Sequence, residues 1–384
     1  MGVKILAENY RALRKIEWDL PKGVCALVGP NGSGKTTLLD VPEVLKEALI
    51  NGVARGVSEH GGIEGLRNLH AQENDKVELG IELDNLRWTI KLSVVSQTNG
   101  LLYEEFVHQD GNQVIHRPSD KSGVILRDNK EFTVGDVSAL KILAQEQYLS
   151  KNPGWSTIYR PPIDALGAYR LYPSYSLEVV RTYGSEVSAD WILRAGGVNV
   201  FSVLRTWRDK RSTKDRYKFV IDGLRDAFPD VFEDLDFEQS KTLSGRIISP
   251  GTDVSLPVRF APSGWITALL HLTAVASAGR GGIVAIDEPE NGLHPYAIKR
   301  ILGAMREWAD EQDLTVLLAS HSPMLLDQFK EEPEHLFVME PGREILPVRL
   351  DEVRNREWLA QFSLGDLYKH GDFGAPDEGA ATAA

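Results

Sequence analysis

Gly29-Pro30-Asn31-Gly32-Ser33-Gly34-Lys35-Thr36 constrains the fold more than any other stretch of this 384-residue chain. The octapeptide satisfies G-x-x-x-x-G-K-[ST] in full, follows the apolar run Val24 to Val28, and opens a Leu- and Glu-rich segment, residues 35–50, that reads as a helix. Its glycines let backbone N–H groups turn inward at a helix N-terminus, where the macrodipole also favours anions, so the loop is a cradle for phosphate oxygens. Lys35 is placed to neutralise β- and γ-phosphates and Thr36 to hold Mg²⁺, with Gly29, Pro30, Asn31, Gly32, Ser33, Gly34 and Thr37 lining the nucleotide site. A buried strand feeding such a loop and helix belongs to an α/β architecture with a parallel sheet.

Ile283-Val284-Ala285-Ile286-Asp287-Glu288 is an apolar run ending in two carboxylates, which sets them at the carboxyl edge of a buried strand, where α/β sheets bind ligands. Asp287 is expected to complete the Mg²⁺ shell and Glu288 to polarise an attacking water. Thr315 to Ala319 is a second apolar run, ending at Ser320-His321, and a neutral imidazole there can bond a γ-phosphate and report its loss. Pro262-Ser263-Gly264-Trp265 sets Ser263 and Gly264 at the start of a helix, a second anion-binding N-terminus that, taken alone, is an ordinary cap.

Between these motifs the pattern changes twice. Strands are expected at Val3 to Tyr10 and Ile16 to Leu20, and the five glycines between Gly52 and Gly65 read as a mobile loop. Val77 to Leu83, Trp88 to Val95, Leu101 to His108 and Val114 to Arg117 alternate apolar and polar residues with turn signals between them, the pattern of an antiparallel meander. From Val137 to about Phe232 the chain turns helical, broken at Asn152-Pro153-Gly154, Pro161-Pro162 and Pro173, and reads as an inserted lobe. The expected division is an N-terminal P-loop half with an antiparallel β-subdomain (1–136), a helical lobe (137–260), the second half of the core (261–370) and a frayed tail (371–384).

Composition excludes other classes. Hydrophobic residues at 42% and charged residues at 26% are those of a folded chain. A net charge of −12 argues against a surface coated for nucleic acid, so any DNA contact must be local. The one local candidate is Arg205 to Lys218, with basic residues at Arg205, Arg208, Lys210, Arg211, Lys214, Arg216 and Lys218 and with Trp207 and Tyr217 between them. It reads either as a phosphate-following stretch or as a solvated helix face whose aromatics pack inward. The single cysteine, Cys25, reads as a core residue and fits a reducing cytoplasm. No apolar signal core opens the chain, and the apolar stretch Ile266 to Ala278 is too short for a membrane span and is interrupted by His271.

Together these pieces resemble the ABC-type ATPases of the RecF/SMC branch, and more closely the stand-alone bacterial AAA ATPases related to the OLD-family ATPase domain. Glu8 to Leu13 with Gly29 to Thr36 is similar to that branch's first strands and Walker A, and Asp287 to Pro295 to its Walker B and D-loop. Ala319 to Pro323 is similar to its switch-histidine segment, Pro262 to Trp265 to a degenerate signature motif, and Leu364 to Leu367 to a C-terminal pattern. The resemblance implies a P-loop NTPase with a RecA-like parallel core, an antiparallel β-subdomain and a helical lobe. It implies ATP and Mg²⁺ bound between two protomers, hydrolysis through Glu288, His321 and Lys35, a signature Ser263-Gly264 acting on the partner's nucleotide, and motion passed to DNA, a nuclease or another effector in genome maintenance or phage defence.

Three departures accompany it. Pro262 and Trp265 replace commoner signature residues, which implies weak activation in trans. Pro42 lies within the helix after the P-loop and is expected to end or kink it. Gln97, Gln145 and Gln147 are all candidates for the Q-loop ligand. The rival readings are an ATPase subunit of a membrane transporter, a nuclease with an ATPase domain, and a non-hydrolysing scaffold gated by ATP. More than two hundred positions between Thr36 and Ser263 speak against the first, and the lack of a metal-ligand cluster after His321 against the second, with Asp234 to Asp236 read as part of an acidic turn.

Overall fold

Alternation along the apolar strands explains where the core sits. A computed structural model describes residues 2–72, 75–95, 100–118, 124–127, 130–133, 138–143, 155–252, 254–340 and 345–374. β1 (Val3–Tyr10) and β2 (Leu13–Asp19) form an antiparallel hairpin, and β3 (Gly23–Val28) then enters a different sheet and delivers the P-loop to helix α1 (Lys35–Asn51). β4 (Val77–Leu83), β5 (Leu86–Val95), β6 (Gly100–Gln109), β7 (Asn112–Arg117), β8 (Val124–Arg127) and β9 (Lys130–Thr133) extend the hairpin into the expected meander, in the order β2-β1-β4-β5-β6-β7-β8-β9.

The core sheet collects short strands from the whole chain. β10 (Tyr169–Tyr172), β14 (Ile283–Asp287), β15 (Thr315–Ser320), β3 and β16 (Leu336–Val338) lie side by side and parallel, with β17 (Val348–Arg349) antiparallel at the edge. Residues alternate between its faces. Val24, Ala26, Val284, Ile286, Val316 and Leu318 join one hydrophobic cluster with the helix Ser263–Ser277 and the helical lobe, while Cys25, Leu27, Ala285, Leu317 and Ala319 join a second with α1 and the meander. Cys25 is thus a core residue, as expected. β3, β14 and β15 are buried on both faces, which is why these runs read as continuous apolar segments.

The structure departs from the sequence reading where burial outweighs local preference. α1 runs through Pro42 to Asn51. An interior proline costs about 3 kcal/mol, but Leu38, Leu39, Val41, Val44 and Leu45 are buried along the same helix, at about 1.5–3 kcal/mol for each large side chain. The helix Trp155–Ala168 likewise contains Pro161 and Pro162. The glycine-rich stretch is not a loop: it folds into helices Val53–Glu59 and Gly62–Leu66, with Val53, Val57 and Leu66 buried. The stretch read as a helical lobe contributes β10 to the core sheet. Asp234 and Asp236 open the strand β11 (Asp234–Gln239), which pairs with β12 (Leu243–Ile248) and, through it, with β13 (Ser255–Pro257). Phe373, in the segment expected to fray, is buried, and the rest of that tail, 375–384, lies outside the described residues.

Two polar clusters tie these parts together. Glu105, wholly buried in the meander, accepts from Trp88 Nε1 (3.1 Å), Ser138 Oγ (2.7 Å), the Ala139 N–H (3.0 Å) and Arg117 (3.3 Å), which joins β5, β6 and β7 to the start of the helix Ala139–Leu143. Asp40, one turn beyond Thr36 on α1, accepts from Tyr10 Oη (2.9 Å) and Arg11 (2.7 Å) and lies 3.5 Å from His60 Nδ1. Arg11 also donates to Gly65 O and His60 O, so the glycine-rich helices are clamped to the β1–β2 turn. Burial pushes the Asp40 carboxyl up, but bonds from His60 and Tyr10 and the charges of His60 and Arg11 prevail and hold it below its ordinary value. The bond to Asp40 raises His60.

Two outcomes follow from these clusters. Glu105→Ala takes the carboxylate from a buried guanidinium and three other donors, and is expected to lower stability by about 3–5 kcal/mol in denaturant unfolding. His60 binds its proton more tightly in the folded state, so its stabilising share is full below pH of about 6.5 and is lost as pH rises through its raised value. Asp40's share is present above pH of about 3.9 and is lost as pH falls through its lowered value. Unfolding free energy is therefore expected to decline as pH rises from about 6.5 through the raised His60 value in the parent and to lose that slope in Asp40→Asn; equal slopes would contradict the pairing.

Candidate nucleotide-binding site

β14, β15 and β3 are consecutive in the core sheet, so Asp287-Glu288, Ser320-His321 and Gly29 to Thr36 leave three adjacent carboxyl ends. The loop's backbone explains its glycines. Gly32 and Gly34 have φ of 80° and 94°, and a Cβ on Gly29 would stand 2.7 Å from Met339 O. Lys35 folds back onto the loop, donating to Gly29 O (2.8 Å) and Pro30 O (3.0 Å). Burial lowers its ammonium's pKa, with Asp287, Glu288 and Glu290 pulling the other way. Thr36 Oγ1 donates to Asp287 Oδ2 at 2.6 Å. Burial raises Asp287, the Thr36 bond and Lys35 oppose the rise, and the charge of Glu288 adds to it.

These residues fit a nucleotide with Mg²⁺. The donor set is a hydroxyl and a carboxylate, hard oxygens suited to Mg²⁺, and among the described residues no group of three or more His, Cys, Asp or Glu could hold a metal without help from phosphate and water. Among the described residues Ser33 Oγ is buried with no partner, Asn31 and Gly32 are exposed at the loop's tip, and Thr37 is half-buried on α1 behind Thr36. A raised Asp287 and a lowered Lys35 are each relieved by the opposite charge that Mg²⁺ and phosphate would bring.

Glu288 sits just past β14 with φ of 48°, its N–H bonded to Ala319 O of the next strand. Asn291 Nδ2 donates to Glu288 Oε2 at 2.7 Å, and His321 Nδ1 lies 3.6 Å from the other oxygen. The carboxylate is thus aimed by a residue three positions on and flanked by the imidazole that was read as a γ-phosphate sensor. Sequence reasoning assigned no role to Asn291, although the i, i+3 spacing was a usable signal. It also missed Glu290, which accepts from Ser320 Oγ (2.7 Å) while its second oxygen is buried without a partner among the described residues.

Ser263 and Gly264 start the helix Ser263–Ser277. Pro262 at its N-cap offers no side-chain bond, and Trp265 is wholly buried against Phe232. A Cβ on Gly264 would stand 2.4 Å from Gly292 O, so glycine alone lets this helix meet the loop after Glu288. Ser263 is exposed, and its bond is to Arg181 rather than to its own P-loop. The Q-loop candidates Gln97, Gln145 and Gln147 lie outside the described residues. In the basic stretch, Trp207 is buried, Tyr217 packs on the core, Arg208 lies over Phe237 and beside Asp209 and Asp236, Lys210 lies over Trp191, and Arg216 donates to Ser277 O. The inward-packing reading accounts for the aromatics, and Arg211, Lys214 and Lys218 remain exposed on its outer side.

Known proteins match both motif-bearing parts. A family model described as "AAA domain" matches residues 4–149, and one described as "AAA domain, putative AbiEii toxin, Type IV TA system" matches residues 175–327. The bacitracin transport ATP-binding protein BcrA of Bacillus licheniformis is 29% identical over 89 residues, 23% of this chain and 28% of that protein. The chromosome partition protein Smc of Methanocaldococcus jannaschii is 49% identical over 37 residues, 10% of this chain and 3% of that protein. Among solved structures, an SMC head bound to the C-winged helix domain of ScpA aligns with TM-score 0.46 and 10% identity over 85% of this chain and 91% of its own. The SMC head domain from Thermotoga maritima aligns with TM-score 0.40 and 10% identity, over 85% and 92%.

Lys35→Ala leaves phosphate charge uncompensated in the cradle and is expected to reduce equilibrium binding of a fluorescent ATP analogue by at least about a hundredfold. Unchanged affinity would show that the loop does not hold phosphate.

Proposed function

We propose that this chain, which resembles ABC/SMC-like AAA ATPases in its motifs and in both family matches, hydrolyses ATP between two copies of itself and passes the closing and opening of that dimer to DNA or to a partner effector. The observation that carries the reading is the Thr36–Asp287 contact beside Lys35 and Glu288, with Ser263 held apart on another helix. Lys35 would exchange its loop carbonyls for phosphate oxygens, and Thr36 and Asp287 would hold Mg²⁺. Bound Mg²⁺ supplies charge that makes the γ-phosphate a better electrophile. Glu288, aimed by Asn291, takes the proton from the attacking water, and His321 stands beside it to sense the γ-phosphate. Ser263, exposed and bonded to Arg181, then serves the partner's nucleotide.

The words "putative AbiEii toxin, Type IV TA system" in the description of the second family model support a setting in defence; genome maintenance and a nuclease effector rest on the family resemblance alone. A transporter subunit is the weaker reading, because the likeness to the bacitracin protein is confined to 23% of this chain. A non-hydrolysing scaffold differs from the proposal only in turnover.

Glu288→Gln keeps the shape of the site and removes the base, so it is expected to bind ATP as the parent does and to lose hydrolysis by a hundredfold or more. Hydrolysis at the parent rate removes Glu288 from its role. The shared site has its own test: mixing Lys35→Ala with Ser263→Arg under subunit exchange pairs an intact P-loop with an intact signature in one of the two sites of each mixed dimer. Random pairing makes half the dimers mixed, so activity is expected to recover to about a quarter of the parent's. Recovery no greater than either variant alone contradicts a site built from two copies.

A further inference from the structure

The signature is short of polar groups, and its missing one comes from elsewhere in the chain. In the first turn of the helix Ser263–Ser277 only Ser263 carries a polar side chain facing solvent; Gly264 is packed on Gly292 and Trp265 is core. Arg181, on the helix Leu177–Tyr183, reaches this turn, donating to Ser263 Oγ at 2.9 Å and to Ala261 O at 3.4 Å. Among the described residues its Nε is buried with no partner, and the carboxylate it pairs with, Glu178, is 4.0 Å away and largely exposed. Among the described residues the guanidinium is therefore paired only at the limit of ion-pair distance and is not fully bonded.

Hydroxyl chemistry gives this contact a direction. A serine hydroxyl has one proton to donate and two lone pairs, and an arginine can only donate. With one lone pair taken by Arg181, the Ser263 proton is free to point outward. We propose that Arg181 completes the degenerate signature as a positioning residue: it fixes Ser263 as a donor toward the γ-phosphate bound by the partner copy and brings a positive charge to that face. The inference rests on the proposed dimer, in which Ser263 meets the other copy's nucleotide. The competing account is structural, with Arg181 only tying its helix to Ala261.

The test uses Glu288→Gln, in which the ATP-bound dimer accumulates, and reads the dimer dissociation constant by sedimentation with ATP and Mg²⁺. Adding Arg181→Gln is expected to weaken the dimer about tenfold or more, as loss of a charge-assisted bond at each of two sites requires, while nucleotide loading of the monomer through Lys35 stays within about twofold. Arg181→Lys keeps the charge without the fork and is expected to fall between. In a Ser263→Ala background the effect of Arg181→Gln is expected to shrink, because the two act through one contact.

If Arg181→Gln dimerises like its parent while Ser263→Ala does not, the role of Arg181 is overturned and the shared site stands. If neither change matters, or if Glu288→Gln does not dimerise with ATP, the shared site itself falls, and the inference with it. Should Arg181→Gln not fold, Arg181→Lys decides: a weakened dimer supports the positioning role, and a parent-like dimer overturns it.

Discussion

The hydrogen bond from Thr36 to Asp287 joins residues 251 positions apart, and the placement of the rest of the site follows from the constraint that makes it possible. A P-loop alone is a cradle for anions; it becomes a magnesium–phosphate site only when a carboxylate is brought to the first turn of its helix. Here that requires β14 and β3 to flank β15 in one parallel sheet, with every connection between them crossing over and returning in the same direction. The meander and the lobe can therefore be long insertions: they leave the core sheet and rejoin it without altering which carboxyl ends are adjacent. Raised Asp287 and lowered Lys35 are consequences of partial burial, which outweighs the attraction between the two groups.

The parts legible in the sequence are those where local pattern and final environment agree. β3, β14 and β15 are buried on both faces, so their apolar runs, the motifs at their ends and the residues that meet there could be placed in advance. Pro42, Pro161, Pro162 and the glycines from Gly52 to Gly65 misled because a breaker's cost of one to three kcal/mol is an intrinsic tendency, whereas burial of Leu38, Leu45, Val53 or Val57 is decided by distant parts of the chain. β10 gave no warning, since Tyr169-Arg170-Leu171-Tyr172 is short and mixed. Arg181 could not be paired with Ser263 by any periodicity, because 82 residues separate them and only the packing of two short elements brings them together. The same holds for the clamp between Arg11, Asp40 and His60.

The helix that presents Ser263 is also bound to the loop that follows Glu288, and the chemistry of one buried histidine shows how firmly. His271 is 2% exposed, with Nε2 3.0 Å from Pro289 O and Nδ1 3.1 Å from Tyr175 Oη. A carbonyl can only accept, so Nε2 carries the proton and Nδ1 must accept from Tyr175. Burial lowers the pKa to about 4, so the ring stays neutral and this one tautomer persists across the physiological range. At the front of the same helix Gly264 rests on Gly292 O. Pro289 and Gly292 bracket the short loop that contains Asn291, the residue that aims Glu288. Glu288 and Ser263 therefore share one mechanical support, held at two points by contacts that tolerate neither a side chain at position 264 nor a second proton on His271. A displacement of this loop must carry the N-terminus of the helix with it or break both contacts, and Tyr175, next to the start of the helix that bears Arg181, is drawn into the same unit.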